Sequence, residues 1–204
     1  RLAAADQSIQ QGNHAQARSI LEKVQLDTLK PAQQIFALTL LAEIALADGK
    51  PEQAEQALQH PAFERLGELP VAQQVRSQLA RAEALEATGK PLAAARERVF
   101  TAPLLSGEQA RTNHEAIWKL ISALPEQQLQ GAADDDLAGW QSLALSQKRA
   151  GTVAQQQRAI DDWIAQNPQH PAAEQLPEPL QKLRELADQP LNNIALLLPM
   201  DGQL

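Results

Sequence analysis

The sequence predicts an all-α fold of helical hairpins stacked in a row. Hydrophobic residues make up 44% of the chain and aromatic residues only 3%, so alanine and leucine, both strong helix formers, supply most of the apolar bulk. Apolar residues recur at intervals of three and four, which is the period of an amphipathic helix and not of a strand. Turn signals that repeat along the chain then divide these helical segments into pairs.

The strongest turn signal is a glycine-lysine-proline triplet. It occurs at Gly49-Lys50-Pro51 and, 40 residues later, at Gly89-Lys90-Pro91. Glycine can end a helix in the left-handed conformation, and proline is well suited to the first turn of the next helix. Similar turns without the proline are expected at two other glycines, Gly12 and Gly151.

The spacing around these turns is typical of tetratricopeptide repeats. The best copy has a large residue, a leucine and a small residue before the turn, and a proline after the second helix: Trp140, Leu143, Ala144, Gly151 and Pro168. An alanine follows three of the turn glycines by five residues, at Ala17, Ala54 and Ala94. We therefore predict tetratricopeptide-like hairpins that form a curved superhelix.

The character of the sequence changes near its end. Residues 189–193 are typical of a linker, and Ile194 to Leu198 form an apolar run before Pro199 that is typical of a buried strand. A lone strand has nothing to pair with. We therefore expect a helical domain over residues 1–188, a linker over 189–193 and, over 194–204, the first strand of a truncated α/β domain. The first residue is Arg1 and not methionine. We therefore expect the chain to be a piece of a longer protein.

The charge and composition exclude several functions. The formal net charge is −7, and the basic residues are scattered, which disfavours nucleic acid or an anionic membrane surface as a partner. The chain has no cysteine, so it can form neither a disulfide nor a thiolate metal site. No apolar run reaches the length of a membrane span.

Few side chains are candidates for catalysis or metal binding. The four histidines lie far apart, each in a turn or near a helix start, and we interpret them as surface residues and not as metal ligands: they are His14, His60, His114 and His170. The aspartates at 134–136 precede a helix and are expected to cap it. Asp161 and Asp162 are adjacent on a helix and so diverge, which argues against a catalytic pair.

The remaining candidates also favour structural roles. Trp140 and Trp163 lie on the apolar stripes of helices, so we expect them in the core and not on a ligand platform. Arg96 and Arg98 alternate along one helix without sharing a face, and we expect both in solvent. The chain has no phosphate-binding glycine loop and no nucleophile elbow. We therefore predict no catalytic, cofactor-binding or metal-binding residue, and no partner-binding residue can be singled out.

Several segments carry a resemblance to a known family. They are Ala116-Ile117-Trp118-Lys119-Leu120, Leu137-Ala138-Gly139-Trp140, Ile160-Asp161-Asp162-Trp163 and the closing run from Asn193 to Pro199. In these segments, most of them in its C-terminal half, the chain resembles the LpoA family of penicillin-binding protein activators, whereas the N-terminal half resembles it only in repeat architecture.

The resemblance implies a non-catalytic regulator of peptidoglycan synthesis. The family consists of outer-membrane lipoproteins on the periplasmic side, in which a helical N-terminal domain precedes a periplasmic-binding-protein-like domain. The partner would be a class A penicillin-binding protein, contacted mainly through that second domain, with peptidoglycan as a further partner to consider. The lipid-bearing cysteine would lie upstream of this chain.

Two other functions remain open from the residues alone. The chain could be a generic tetratricopeptide-type adaptor that binds a peptide in another envelope or cytosolic assembly. It could also be the helical domain of a lytic transglycosylase whose catalytic domain is absent. The apolar run at Ile194 argues against the transglycosylase, because it predicts a following α/β domain.

Overall fold

The computed structural model describes residues 1–131 and 135–188, and over these ranges the chain is helical with no strand. The prediction of an all-α fold is confirmed. The predicted linker and the predicted strand, at 189–193 and 194–204, lie outside the described residues. The α-helices are α1 (Leu2–Gln10), α2 (His14–Leu21), α3 (Pro31–Ala47), α4 (Pro51–Leu58), α5 (Val71–Ala87), α6 (Pro91–Thr101), α7 (Gly107–Ser122), α8 (Asp135–Arg149), α9 (Val153–Gln166), α10 (Pro171–Glu174) and α11 (Glu178–Asp188).

Within the described ranges, four short 3₁₀ helices occupy connections between these elements. They are Leu26–Thr28, Pro61–Glu68, Ala102–Leu104 and Glu126–Leu129. The longest of them, Pro61–Glu68, packs against α3. This connection is therefore an ordered part of the domain.

The turn glycines work as the sequence predicts in the first three hairpins. Gly12, Gly49 and Gly89 have φ values of 76°, 71° and 77°. These values lie in the left-handed region, which residues with a side chain adopt only with strain. The next residue then donates its backbone N–H to the carbonyl five positions back, as Lys50 does to Ala45 at 2.8 Å. This bond is the signature of a Schellman cap. Pro51 begins α4 immediately afterwards.

The turn at Gly151 differs from the other three. Gly151 is not among the glycines with positive φ, and its N–H donates to the side chain of Gln155 at 2.8 Å. Thr152 and Gln155 form a capping box at the start of α9. This turn is therefore fixed by the N-terminal cap of the following helix, whereas the earlier turns are fixed by the C-terminal cap of the preceding one.

Neighbouring helices form hairpins that stack on one another. The pairs α1–α2, α3–α4 and α5–α6 make the most extensive contacts, and α3 contacts both α1 and α5. Alanines at these contacts are fully buried, which lets the helix backbones approach closely: they include Ala5, Ala17, Ala42, Ala54, Ala82, Ala84 and Ala94. The two halves of the domain differ, because the three tryptophans all belong to the core formed by α7, α8 and α9.

Polar side chains also join helices across these contacts. The hydroxyls of Thr39 and Ser77 lie 2.8 Å apart between α3 and α5. Arg76 on α5 bonds to Asp6 at 2.7 Å and to Glu43 at 2.6 Å, so it connects the first three hairpins. The hydrogen bond to Asp6, supported by Glu43, raises the pKa of Arg76 further above its usual value.

The prediction that Arg98 lies in solvent is wrong. Only 9% of Arg98 is exposed, whereas Arg96 is exposed as expected. Helix α6 contacts both α5 and α7, so neither of those faces is free. Arg98 donates to the Asn113 side-chain oxygen at 3.2 Å, and Asn113 donates back to the Arg98 carbonyl at 3.0 Å.

The buried alanines generate a prediction for the stacking of the hairpins. We expect Ala54→Leu to lower the free energy of unfolding by about 1–3 kcal/mol, because the larger side chain must push α4 away from its neighbours. Ala32→Leu, at an exposed position on α3, should change it by less than about 0.5 kcal/mol. Urea denaturation measures both, and equal effects would contradict close packing through Ala54.

Candidate functional site

One groove in the described residues lies between α7, α8 and α10. Its volume is about 700 Å³, and its floor includes Asn113, Ile117 and Trp140. Charged side chains line it as well. They are Glu108, Arg111, Asp136 and Glu174, so carboxylates outnumber the single guanidinium.

Four aromatic rings pack edge to face beneath and beside this groove. The ring centroid of Trp140 lies 4.9 Å from that of His114 and 5.5 Å from that of His170. The ring of Trp163 lies 5.1 Å from His170 on the other side. Such edge-to-face contacts add stability beyond the burial of apolar area. We refer to His114, Trp140, Trp163 and His170 as the aromatic cluster.

His170 is held as a neutral ring within this cluster. It is 8% exposed, and its Nδ1 accepts a hydrogen bond from the backbone N–H of Ala172 at 3.0 Å. Nε2 therefore carries the ring proton and donates to the carbonyl of Asp136 at 2.7 Å. Burial lowers the pKa of His170, although the bond to the Asp136 carbonyl partly opposes this. The ring thereby ties the start of α10 to the start of α8.

Gly139 makes room for this histidine on α8. A Cβ at this position would lie 2.7 Å from the Nε2 atom of His170 and closer still to Cδ2. The indole N–H of Trp163 donates to the Gly139 carbonyl at 3.1 Å and to the Ser142 hydroxyl at 2.9 Å. A glycine inside α8 therefore serves a close approach and not a bend.

His114 closes the cluster from the side of α7. Its ring is partly exposed, and Nε2 lies 2.6 Å from the carbonyl of Gln175. The carboxylate of Glu115, the next residue, accepts from the backbone N–H of Glu178 at 3.0 Å. These bonds attach α7 to the start of α11, so the groove wall is built from three distant parts of the sequence.

The polar atoms of the aromatic cluster serve mainly to join helices. Both ring nitrogens of His170 are engaged with backbone groups, and Trp140 is only 2% exposed. Over the ranges that the structure describes, no three histidine, aspartate or glutamate side chains come together as metal ligands would. The groove therefore offers shape and a mostly acidic lining on a rigid support.

The structure confirms some interpretations of single residues and overturns others. Trp140 and Trp163 are core residues, as predicted. The interpretation of His170 as a surface residue is wrong, because the segment from Asn167 to Pro171 turns back onto α8 and buries its ring. His60 caps the following 3₁₀ helix by accepting from Ala62 at 3.0 Å. Asp161 is exposed and pairs with Arg184 at 3.2 Å.

Helical hairpins that stack on buried alanines, with a groove supported by an aromatic cluster, define an all-α repeat domain suited to binding. The profile of one family, described as LppC putative lipoprotein, matches residues 1–204. The chain therefore belongs to the LppC family. No helix in the described ranges combines the length and the apolar character needed to cross a membrane.

Curated relatives carry a more specific name. The penicillin-binding protein activator LpoA of Edwardsiella piscicida is 34% identical over 202 residues, covering 96% of this chain and 28% of the relative. That of Photobacterium profundum is 30% identical over 200 residues, covering 96% of this chain and 32% of the relative. The chain thus spans about a third of the length of these relatives, and the resemblance to the LpoA family is confirmed.

Solved structures agree with this assignment. The E. coli LpoA amino-terminal domain matches with a TM-score of 0.72 and 25% identity, over 88% of this chain and 81% of that one. Haemophilus influenzae LpoA matches with a TM-score of 0.71 at 23% identity, over 90% of this chain and 34% of that one, which shows a shared fold.

Gly139 provides a test of the aromatic cluster. We expect Gly139→Ala to lower the free energy of unfolding by about 1–3 kcal/mol, because the new Cβ collides with the His170 ring. The higher helix propensity of alanine would by itself act in the opposite direction. Gly67→Ala is the matched control, because nothing lies within 4 Å of a Cβ there. A stabilising effect of Gly139→Ala in urea denaturation would contradict the close approach.

The buried neutral His170 predicts a dependence of stability on pH. An unfolded histidine has a pKa of about 6.5, and burial lowers that of His170, so the unfolded chain binds the proton more readily. The contribution of neutral His170 to the free energy of unfolding should be complete above about pH 6.5. It should be lost as the pH drops towards the pKa of His170 in the folded state.

Urea denaturation across this pH range, with two histidine variants, isolates the contribution of His170. The His170→Gln variant should show a smaller decrease in the free energy of unfolding as the pH falls. The His14→Gln variant, changed at the partly exposed first residue of α2, should show the same decrease as the unmodified chain. If the free energy of unfolding of His170→Gln decreases as steeply as that of the unmodified chain, another group is responsible for the pH dependence.

Proposed function

We propose that this chain is the N-terminal scaffold domain of an outer-membrane lipoprotein that activates a class A penicillin-binding protein, and that it is not itself an enzyme. The observation that carries the proposal is the match to relatives named penicillin-binding protein activator LpoA over 96% of the chain. The same name favours this function over a generic tetratricopeptide-type adaptor and over the helical domain of a lytic transglycosylase.

The stacking of hairpins supports a scaffold role. At roughly 10 Å per packed layer, four to five helix pairs extend over about 40–50 Å. In the proposed arrangement, residues 1–188 form this scaffold, residues 189–193 link it, and residues 194–204 begin a periplasmic-binding-protein-like domain. An upstream lipid anchor would hold the protein at the periplasmic side of the outer membrane, and the scaffold would extend its reach towards the synthase.

The state of the polar side chains supports a non-catalytic role. Both nitrogens of His170 and the Nε2 of His114 are engaged with backbone groups, and these bonds fix helices in place. A general acid or base needs a free position near a reacting group. The chain is therefore better suited to holding a partner than to transforming a substrate, and peptidoglycan remains a candidate second partner.

Activation would belong mainly to the domain that follows. A regulator stimulates an enzyme only by binding its active state more tightly than its inactive state. We assign that differential contact to the binding-protein-like domain, and assign reach and orientation to the helices.

A transpeptidation assay with a purified class A penicillin-binding protein tests this division. Three samples are compared: this chain, the C-terminal domain of the same protein, and the two joined. We expect no stimulation by this chain alone and stimulation by the other two. Stimulation by this chain alone would place the activating surface on these helices.

Anchoring the samples tests the scaffold role separately. The joined protein and the C-terminal domain are each tethered at the N-terminus to vesicles, with the synthase in facing vesicles. Both should stimulate in solution, but only the joined protein should do so when tethered, because the shorter tether cannot span the gap. Equal stimulation in the tethered format would contradict a role in reach.

A further inference from the structure

A second groove, on the opposite side of α6 from Asn113, is not explained by the fold. It lies between α5, α6 and the 3₁₀ helices Pro61–Glu68 and Ala102–Leu104, and its volume is about 640 Å³. Its lining is largely apolar, with Phe63, Leu66, Phe100 and Leu104 among its residues. We refer to it as the Phe100 groove.

Large apolar side chains are exposed here. Phe100 is 68% exposed and Leu104 37% exposed. Leu104 also lines an adjoining groove that contains Val71, which is 52% exposed. The described residues include two further exposed large hydrophobic side chains, Val153 and Leu186, so most of these side chains gather at this one place. Exposed large apolar side chains that gather in one region favour an interaction surface there.

The charged groups of the Phe100 groove are mainly positive. Arg81 and Arg96 line it together with one carboxylate, Glu97. Glu97 lies 4.0 Å from Arg81 and is mostly buried, and burial raises its pKa. Among the described residues, no carboxylate comes within 4.0 Å of Arg96. This local excess of positive charge contrasts with the net charge of −7 of the whole chain.

We propose that the Phe100 groove binds a segment of another protein that carries an apolar side chain flanked by carboxylates. The apolar side chain packs against Phe100 and Leu104, and the carboxylates pair with Arg81 and Arg96. Aromatic and arginine side chains are the residues that most often dominate such contacts. The proposal does not depend on the proposed function, because it concerns binding at a surface and not activation of a synthase.

Two other occupants fit the charges less well. In a symmetric dimer formed through this surface, the same patch of each copy would face the other, so two mainly positive patches would be brought together. An anionic membrane would be repelled by the net charge of −7.

Fluorescence polarisation with three labelled hexapeptides tests the proposal on the 204-residue chain. The peptides are Glu-Glu-Leu-Phe-Glu-Glu, its basic counterpart Lys-Lys-Leu-Phe-Lys-Lys, and Glu-Glu-Ser-Ser-Glu-Glu, which lacks the apolar pair. We expect only the first to bind with saturation below ~1 mM. The net charge of the chain would by itself favour the basic peptide, so binding of only the acidic peptide would require a local site of the opposite charge.

Surface variants locate the binding. Phe100→Ser and Arg96→Glu alter exposed side chains, and each should weaken binding of the first peptide by at least about tenfold. Val153→Ser and Arg158→Glu make the same changes on α9, where both residues are exposed, and should alter binding by less than about twofold. Circular dichroism should show unchanged folding for all four.

Several outcomes would overturn the proposal. The first is an absence of saturable binding by the acidic apolar peptide, and the second is an equal loss of binding in the α9 variants. Sedimentation velocity that shows a dimer lost in Phe100→Ser would identify a second copy as the occupant. Co-sedimentation with anionic vesicles that Phe100→Ser abolishes would identify a membrane surface instead.

Discussion

The close approach of helices at fully buried alanines is the constraint on which the rest of the domain depends. Ala17, Ala54 and Ala94 each follow a turn glycine by five residues and are each completely buried. At these contacts a larger side chain would separate the backbones and change the angle at which one hairpin meets the next. The glycine caps set the direction of each turn, and the polar contacts of Thr39 and Arg76 then fix the register between hairpins.

The two halves of the domain meet this constraint in different ways. The N-terminal hairpins pack small residues and supplement a thin apolar core with ion pairs such as Arg76–Glu43. The C-terminal helices pack Trp118, Trp140 and Trp163 into one core. Large rings leave irregular spaces between helices, and one such space is the groove above Trp140. The aromatic cluster therefore builds this groove and at the same time holds α7, α8 and α10 together.

Periodicity and turn signals were sufficient to predict the helices, because both depend on neighbouring residues. The turns at Gly49 and Gly89 have the predicted conformation, and Trp140 lies in the core as its helical stripe indicates. His170 and Arg98 could not be placed in this way, because their burial depends on partners that lie 34 and 15 residues away, at Asp136 and Asn113. One local signal was available for His170. A glycine in the middle of α8, beside Trp140, indicates that another group approaches the helix closely.

A repeat domain can evolve a binding surface only with side chains that its own stacking does not use. In the aromatic cluster, His114 and His170 do not meet this condition, because they join helices, whereas Glu108, Arg111 and Glu174 at the rim of the same groove are exposed and do meet it. Phe100 and Arg96 do meet it, because they are exposed on α6 while Ala94, Ala95 and Arg98 supply its buried contacts. The two grooves therefore differ in kind. The first has a floor of side chains that hold helices together, whereas the Phe100 groove carries two exposed side chains, Phe100 and Arg96, that the packing of α6 does not use.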